Sequence, residues 1–213
     1  DAVLRLDMDG RKVLLADPAM LRLYDMIRRL SRSDLPVLVT GETGAGKENA
    51  AYAVHHYSPR RGKPFVAVNC AALAETLLES ELFGHERGAF SGATHTKTGL
   101  LESAAGGTVF LDEVGELSAT AQSKLLRALE QKRITRLGDV RERDIDIRVV
   151  AATNRRLEDE VREKRFREDL FFRLSAATVV LPPLRDRPRE ITLLSQAFLT
   201  AACARMGRPP LAL

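Results

Sequence analysis

Gly41-Glu42-Thr43-Gly44-Ala45-Gly46-Lys47 decides the fold of this chain. An apolar run, Pro36-Val37-Leu38-Val39, precedes it, and a helix-compatible run from Glu48 to His56 follows. Strand, glycine-rich turn and helix in that order make a phosphate-binding loop. A bare match to the pattern occurs as a chance turn; the flanking strand and helix argue against chance here. The glycines let the backbone turn without Cβ clashes. Their amides, with the positive end of the helix dipole, cradle anionic phosphates. Lys47 then reaches the β- and γ-phosphates, which makes residues 41–49 candidate nucleotide-binding residues, including Glu48 and Asn49 at the start of the helix. The general pattern has Ser or Thr after the lysine to hold magnesium. This chain has Glu48, so the metal depends on a carboxylate elsewhere.

Thr108-Val109-Phe110-Leu111-Asp112-Glu113 supplies one. The β-branched and apolar run reads as a buried strand. It places Asp112 at the carboxyl edge, where open parallel sheets bind ligands. Asp112 is the candidate Mg²⁺ ligand, and Glu113 is placed to orient and deprotonate the water that attacks a γ-phosphate. On its own the same run would read as a strand ending in a solvated acidic turn.

Composition narrows the class. With 213 residues, 45% of them apolar, the chain has room for one domain and part of a second. Charged residues make up 29%, and no apolar run approaches the roughly 18 residues of a membrane span. No secretory segment opens it, and Cys70 and Cys203 lie too far apart in sequence to suggest a disulfide framework, so a reducing cytoplasm is expected. His55 and His56 are adjacent and cannot share one helix face. The net charge of +4 permits an acidic partner without specifying one, and the basic clusters, Arg185 to Arg189 among them, interleave with acids as solvated surface does.

Helices are expected at 18–30, 47–56, 75–83, 118–131 and 189–206, and strands at 36–40, 65–69, 108–112, 148–153 and 176–181. Strands alternating with helices predict a parallel sheet with helices on both faces. A glycine-rich insert, 84–99, interrupts the alternation and contains Gly88-Ala89-Phe90-Ser91-Gly92-Ala93. Glycines bracketing a Phe mark a mobile loop that presents an aromatic, or a glycine-rich surface turn with a core Phe.

Phosphate loop, acidic strand and this insert together resemble the AAA+ ATPase domain of sigma-54-dependent transcription activators, the bacterial enhancer-binding proteins. The resemblance runs from Pro18 to about Gln196. The family's loop reads G-A-F-T-G-A; here Ser91 replaces Thr, keeping the hydroxyl and losing the methyl. The resemblance implies a P-loop AAA+ three-layer α/β sandwich with a central parallel sheet over residues 1–183. It also implies the truncated start of an α-helical lid over 184–213. It implies a Mg²⁺-dependent ATPase whose residues 88–93 grip sigma-54 and whose turnover remodels the closed RNA polymerase–promoter complex.

By the same resemblance Lys47 is the Walker A lysine, and Asp112 and Glu113 are the Walker B pair. Asn69 is the switch residue that pairs with Glu113, and Thr153 and Asn154 form the first sensor. Lys132 to Arg143 is a second loop cooperating with Phe90. Arg167 and Arg173 match the fingers that reach a neighbour's ATP in a hexameric or heptameric ring. A guanidinium there neutralises charge in the phosphoryl-transfer transition state, while the plain alternative is a surface ion pair with Glu168 or Asp169. In the family the lid continues to a second sensor arginine, and sensory and DNA-binding domains flank the core. DNA contact is therefore expected only through a carboxy-terminal domain beyond Leu213. Two alternatives stay open: another AAA+ remodelling machine, and a nucleotide-gated regulatory module without remodelling activity.

Overall fold

In the computed structural model, residues 3–209 and 211 are described. Residues 1–2 of the expected core, and 210 and 212–213 of the expected lid segment, lie outside the described residues. The chain opens with a hairpin, β1 (Leu4–Met8) and β2 (Arg11–Leu15), paired antiparallel. Asp9 and Gly10 form its turn, both at positive φ (55° and 90°), the backbone a two-residue hairpin turn requires. Asp17 caps helix α1 (Pro18–Leu30) by accepting from the N–H of Ala19 at 2.9 Å, with Pro18 preset for the first helical turn.

Then β3 (Val37–Thr40) leads into α2 (Lys47–His56), and β4 (Phe65–Asn69) into α3 (Glu75–Phe83). Short strands β5 (Gly84–His85) and β6 (Lys97–Thr98) pair as the stem of the glycine-rich insert. Helix α4 (Leu100–Ser103) precedes β7 (Thr108–Asp112), and α5 (Ala119–Gln131) begins at a Ser118 cap. A second hairpin follows, β8 (Arg133–Thr135) with β9 (Glu142–Asp144). The chain continues through β10 (Arg148–Thr153), α6 (Leu157–Arg162), α7 (Glu168–Leu174), β11 (Ala177–Val180) and α8 (Pro188–Arg205). The elements expected from apolar runs are found to within a residue or so at their ends. Both hairpins, the β5–β6 stem strands, α4, α6 and α7 were not anticipated.

Five strands form one parallel sheet in the order β11-β3-β10-β7-β4. Parallel strands buried on both faces read as unbroken apolar runs, and every residue of β10 is buried. Alternation sorts its neighbours. Val37, Val39, Phe110, Val150 and Ala152 pack on the face covered by α1 and α2. Leu38, Val109, Leu111, Val149 and Ala151 pack on the face covered by α3, α5 and α7. That is a three-layer α/β sandwich, as expected. The register aligns Thr40 with Thr153 and Asn69 with Asp112, so the carboxyl ends of four strands form one edge.

One buried charge braces the opposite edge. Arg148, 1% exposed, donates to the carbonyls of Leu30, Ser31 and Leu35 and so satisfies the orphan acceptors past the end of α1. His55 and His56 take different surroundings, as adjacency requires: His55 pairs with the Thr108 hydroxyl at 2.9 Å and His56 with Asp9 at 2.8 Å. Among the described residues no helix is long and apolar enough to cross a membrane.

Candidate active site

The phosphate loop sits at the carboxyl edge between β3 and α2. Gly44 and Gly46 adopt φ of 81° and 96°, and a Cβ on either would meet nothing within 4 Å. Glycine is thus needed for backbone conformation, and the space above stays open. Lys47 is buried. Its ammonium donates to the carbonyls of Gly41 at 3.1 Å and Glu42 at 3.3 Å and lies 3.4 Å from Glu113. The lysine thus folds back on its own loop.

Glu113 stands at φ 51°, a left-handed conformation uncommon for a residue with a side chain. It turns the carboxylate back from the end of β7 towards the loop. One oxygen faces Lys47; the other accepts from the N–H of Asn154 at 3.2 Å. The Asn154 amide in turn donates to the Thr43 hydroxyl at 3.2 Å. Three segments far apart in sequence therefore close on one space: residues 43–47, 112–113 and 154. Burial, and then the neighbouring Glu113 charge, hold the Asp112 carboxyl above the usual carboxylate range. An acid pair short of positive charge beside an open amide cradle fits a nucleotide and a divalent cation. Among the described residues no three acidic, histidine or cysteine side chains converge as a complete metal cage, so a cation here would take Asp112 together with nucleotide oxygens and water.

Other expected residues differ in detail. Asn69 reaches Asp112, at 3.5 Å, rather than Glu113, and its carbonyl oxygen accepts from the N–H of Ala71. The Thr153 hydroxyl is fully buried and accepts from the N–H of Arg155, so of these two expected residues Asn154 faces the loop and Thr153 does not. Glu48 points away and pairs with Arg11 of β2 at 2.8 Å. Asn49 is half-buried in the first turn of α2. Glu42 is bound by Arg185, and the carbonyl of Ala45 by Arg187. Both arginines come from the 185–189 cluster read as solvated surface. The reading missed them because a single basic run carries no sign of which side chain turns inward.

The insert rises from the β5–β6 stem. Gly88 donates to Ala93 at 2.8 Å and Ala93 to Phe90 at 3.0 Å, closing a compact turn. Phe90 is half-buried: its ring stands edge-on to His85, centroids 5.1 Å apart. It is thus less exposed than the glycine pattern suggested, while Ser91 and Gly92 are open. The second loop braces the stem. Arg136 bridges Glu86 and Glu102, Arg143 also holds Glu86, and a Cβ on Gly138 would strike Ala89 at 2.7 Å.

Arg167 forms a bidentate pair with Asp169, the surface alternative raised above, and also reaches Ser123. Arg173 donates to the carbonyl of Leu129 and lines a cleft with Leu35, Pro36 and Phe172, at the end of the sheet away from the phosphate loop. Among the described residues no hydrogen bond joins either arginine to residues 41–49.

Comparison with known proteins sets this geometry in context. Residues 13–180 match the family described as Sigma-54 interaction domain. The chain is 52% identical over 199 residues to the nitric oxide reductase transcription regulator NorR1 of Cupriavidus necator, covering 93% of this chain and 39% of that protein. It is 50% identical over 192 residues to the Nif-specific regulatory protein of Azotobacter vinelandii, covering 90% and 37%. The chain thus spans well under half the length of these relatives. Among solved structures, NtrX from Brucella abortus in complex with ATP aligns with a TM-score of 0.86 at 36% identity, covering 93% of this chain and 43% of that one. The P-loop NTPase domain of the Sigma-54 transport activator from E. coli shares the fold, with a TM-score of 0.53 at 18% identity, covering 80% of this chain and 99% of that one.

Proposed function

The chain belongs to the Sigma-54 interaction domain family, and on that premise we propose that it is a Mg²⁺-dependent ATPase that drives a sigma-54 contact through residues 88–93. One observation carries the reading. Lys47, Glu113, Asn154 and Thr43 form a continuous polar chain around an open amide cradle. A γ-phosphate entering that cradle would compete for Lys47 and Asn154, so Glu113 would lose partners as the site fills. The freed carboxylate is then placed to take a proton from an attacking water. Asp112 would hold Mg²⁺, which when bound neutralises charge on the phosphates.

The same reading assigns Gly41 to Asn49 to nucleotide binding and Asn69 to the support of Asp112. Arg167 and Arg173 would act on a neighbouring copy's nucleotide, since each lies away from its own phosphate loop. Rotation of the Asp169 pair would release Arg167 for that role. Residues 1–183 would be the catalytic core and 184–213 the start of the lid. Phe90 would leave His85 to seat on sigma-54 within the RNA polymerase holoenzyme. The ion pairs from Glu86 to Arg136 and Arg143 would carry motion between the two loops. Binding of ATP together with phosphate release tests the enzymatic part. Retained binding with lost release in Glu113→Gln supports it, and unchanged release removes Glu113 as the base.

A further inference from the structure

The chain that opens α8 grips the phosphate loop. A single 3-10 turn, Leu184–Asp186, carries Arg185 within it and Arg187 immediately after it. Arg185 binds both carboxylate oxygens of Glu42 at 2.7 Å, but the pair is exposed, and such bridges contribute little. Arg187 is different. It is 5% exposed and its partner Glu190 is 1% exposed. One guanidinium nitrogen of Arg187 donates to the carbonyl of Ala45 at 3.0 Å and another to Glu190 at 3.2 Å. The second Glu190 oxygen accepts from the N–H of Ala16, just after β2, at 3.2 Å. The Arg187 Nε–H is buried, with no hydrogen-bond partner among the described residues.

Burying two charges is unfavourable unless geometry and hydrogen bonds compensate, and apolar replacements of a buried pair are often no less stable. Stability alone therefore gives no reason for the pair. Its placement does. In a trans peptide the C=O and the following N–H point in opposite directions. With the Ala45 carbonyl held outward by Arg187, the N–H of Gly46 is turned the other way, towards the cradle. Gly46 is at φ 96° with open space where a Cβ would stand. The N–H of Ala45 and the C=O of Gly46 are tied to Glu42 and Ala50, and among the described residues the hydrogen bond held by the peptide between them is the one from Arg187.

We propose that Arg187 is a positioning residue for nucleotide binding. Through the Ala45 carbonyl it sets the Ala45–Gly46 peptide so that the Gly46 amide faces the phosphates. Through Glu190 it ties that orientation to α8 and to Ala16. The start of α8 and the phosphate cradle thereby move as one unit. The proposal rests on the nucleotide-binding reading above.

A lysine ammonium lacks the planar fork, so it cannot reproduce the two divergent, directed bonds that the guanidinium makes to Ala45 and Glu190. In the nucleotide-free ¹⁵N-labelled chain, Arg187→Lys should lower the backbone order parameter of the Gly46 amide from the rigid range, about 0.85, to below about 0.6. The same change should raise amide exchange at Ala16 by about tenfold or more, because Glu190 loses its anchor. In titrations with two probes, affinity for tripolyphosphate should fall by about tenfold or more and affinity for adenosine by less than about threefold. A merely structural role would weaken both probes alike, and that result, or an unchanged Gly46 order parameter, would overturn the proposal. Should Arg187→Lys fail to fold, the double variant Arg187→Met with Glu190→Met removes both charges and keeps apolar volume. Wild-type tripolyphosphate affinity in that variant would equally overturn it. A wild-type chain that binds no ATP would refute the nucleotide reading, while the Gly46 and Ala16 measurements still decide the coupling.

Discussion

Glu113→Gln should separate binding from hydrolysis in opposite directions. The Glu113 carboxylate lies 3.4 Å from the Lys47 ammonium, and both side chains are largely buried. Coulomb's law at an effective dielectric of about 20 gives a gross attraction of about 5 kcal/mol at that separation. Lys47 keeps its two carbonyl acceptors in either state, and solvent screens part of the rest, so about a third of the gross figure, roughly 1.5 kcal/mol, is what ATP must overcome to draw the lysine away. The amide keeps an oxygen for the N–H of Asn154, so the local geometry survives. ATP should therefore bind about tenfold tighter to Glu113→Gln, while phosphate release should fall by about 10²-fold or more with the general base gone. Calorimetric titration with ATP and a phosphate-release assay read the two effects separately. Weaker ATP binding would refute the restraint of Lys47 by Glu113, and release within threefold of wild type would refute the base.

Arg167→Ala and Arg173→Ala should each cut hydrolysis, by up to about 10³–10⁵ if the guanidinium acts on the transition state, with ATP binding to the single chain retained; mixing Arg173→Ala with Lys47→Ala chains should restore part of the activity, and co-assembled mixtures without recovery would reject action in trans. Phe110→Ala should destabilise the chain by about 3–5 kcal/mol, since Phe110 is 1% exposed in the middle of the sheet; a urea midpoint within a few tenths molar of wild type would contradict that packing. Hydrogen bonds from His56 and then Arg61 depress the Asp9 carboxyl to about 2, below its unfolded value near 3.9. The stability it contributes is present above pH 4 and is lost as pH falls from about 4 to 2, so Asp9→Asn should flatten the dependence of the urea midpoint over that window, and an identical slope would show that the hairpin anchor carries no linkage.

Most of what positions the site was legible because parallel strands advertise themselves. Val149 to Ala152 and Val109 to Leu111 are unbroken apolar runs, and each ends at the polar residue that the sheet edge presents. The amino-terminal hairpin was missed although Asp9-Gly10, flanked by Leu4, Leu6 and Met8 on one side and Val13 and Leu15 on the other, is a strong two-residue turn signal. Helices α6 and α7 are too short for apolar periodicity to stand out. The least legible features were buried charges. Nothing local distinguishes Arg148 from a surface arginine, because what buries it is backbone carbonyls of a distant segment; the Arg187–Glu190 spacing reads as an ordinary helical ion pair until the distant carbonyl of Ala45 is brought beside it. The pairing of Asn69 with Asp112 rather than Glu113 follows from cross-strand register and from the left-handed turn at Glu113, which a linear sequence does not display.

The most direct test of a nucleotide-driven sigma-54 contact is complex formation between this chain and sigma-54, measured with and without ADP and aluminium fluoride, for wild type and Phe90→Ala. The phosphate loop and the Phe90 turn lie on separate segments, so Phe90→Ala should leave ATP hydrolysis intact. An aromatic anchor at the centre of an interface contributes about 2 kcal/mol or more, so the complex should weaken by about thirtyfold or more in that variant. The expected result is a wild-type complex that depends on the nucleotide analogue and is lost with Phe90. A complex of equal strength without nucleotide, or with Phe90→Ala, would contradict the proposed coupling of ATP chemistry to the 88–93 loop.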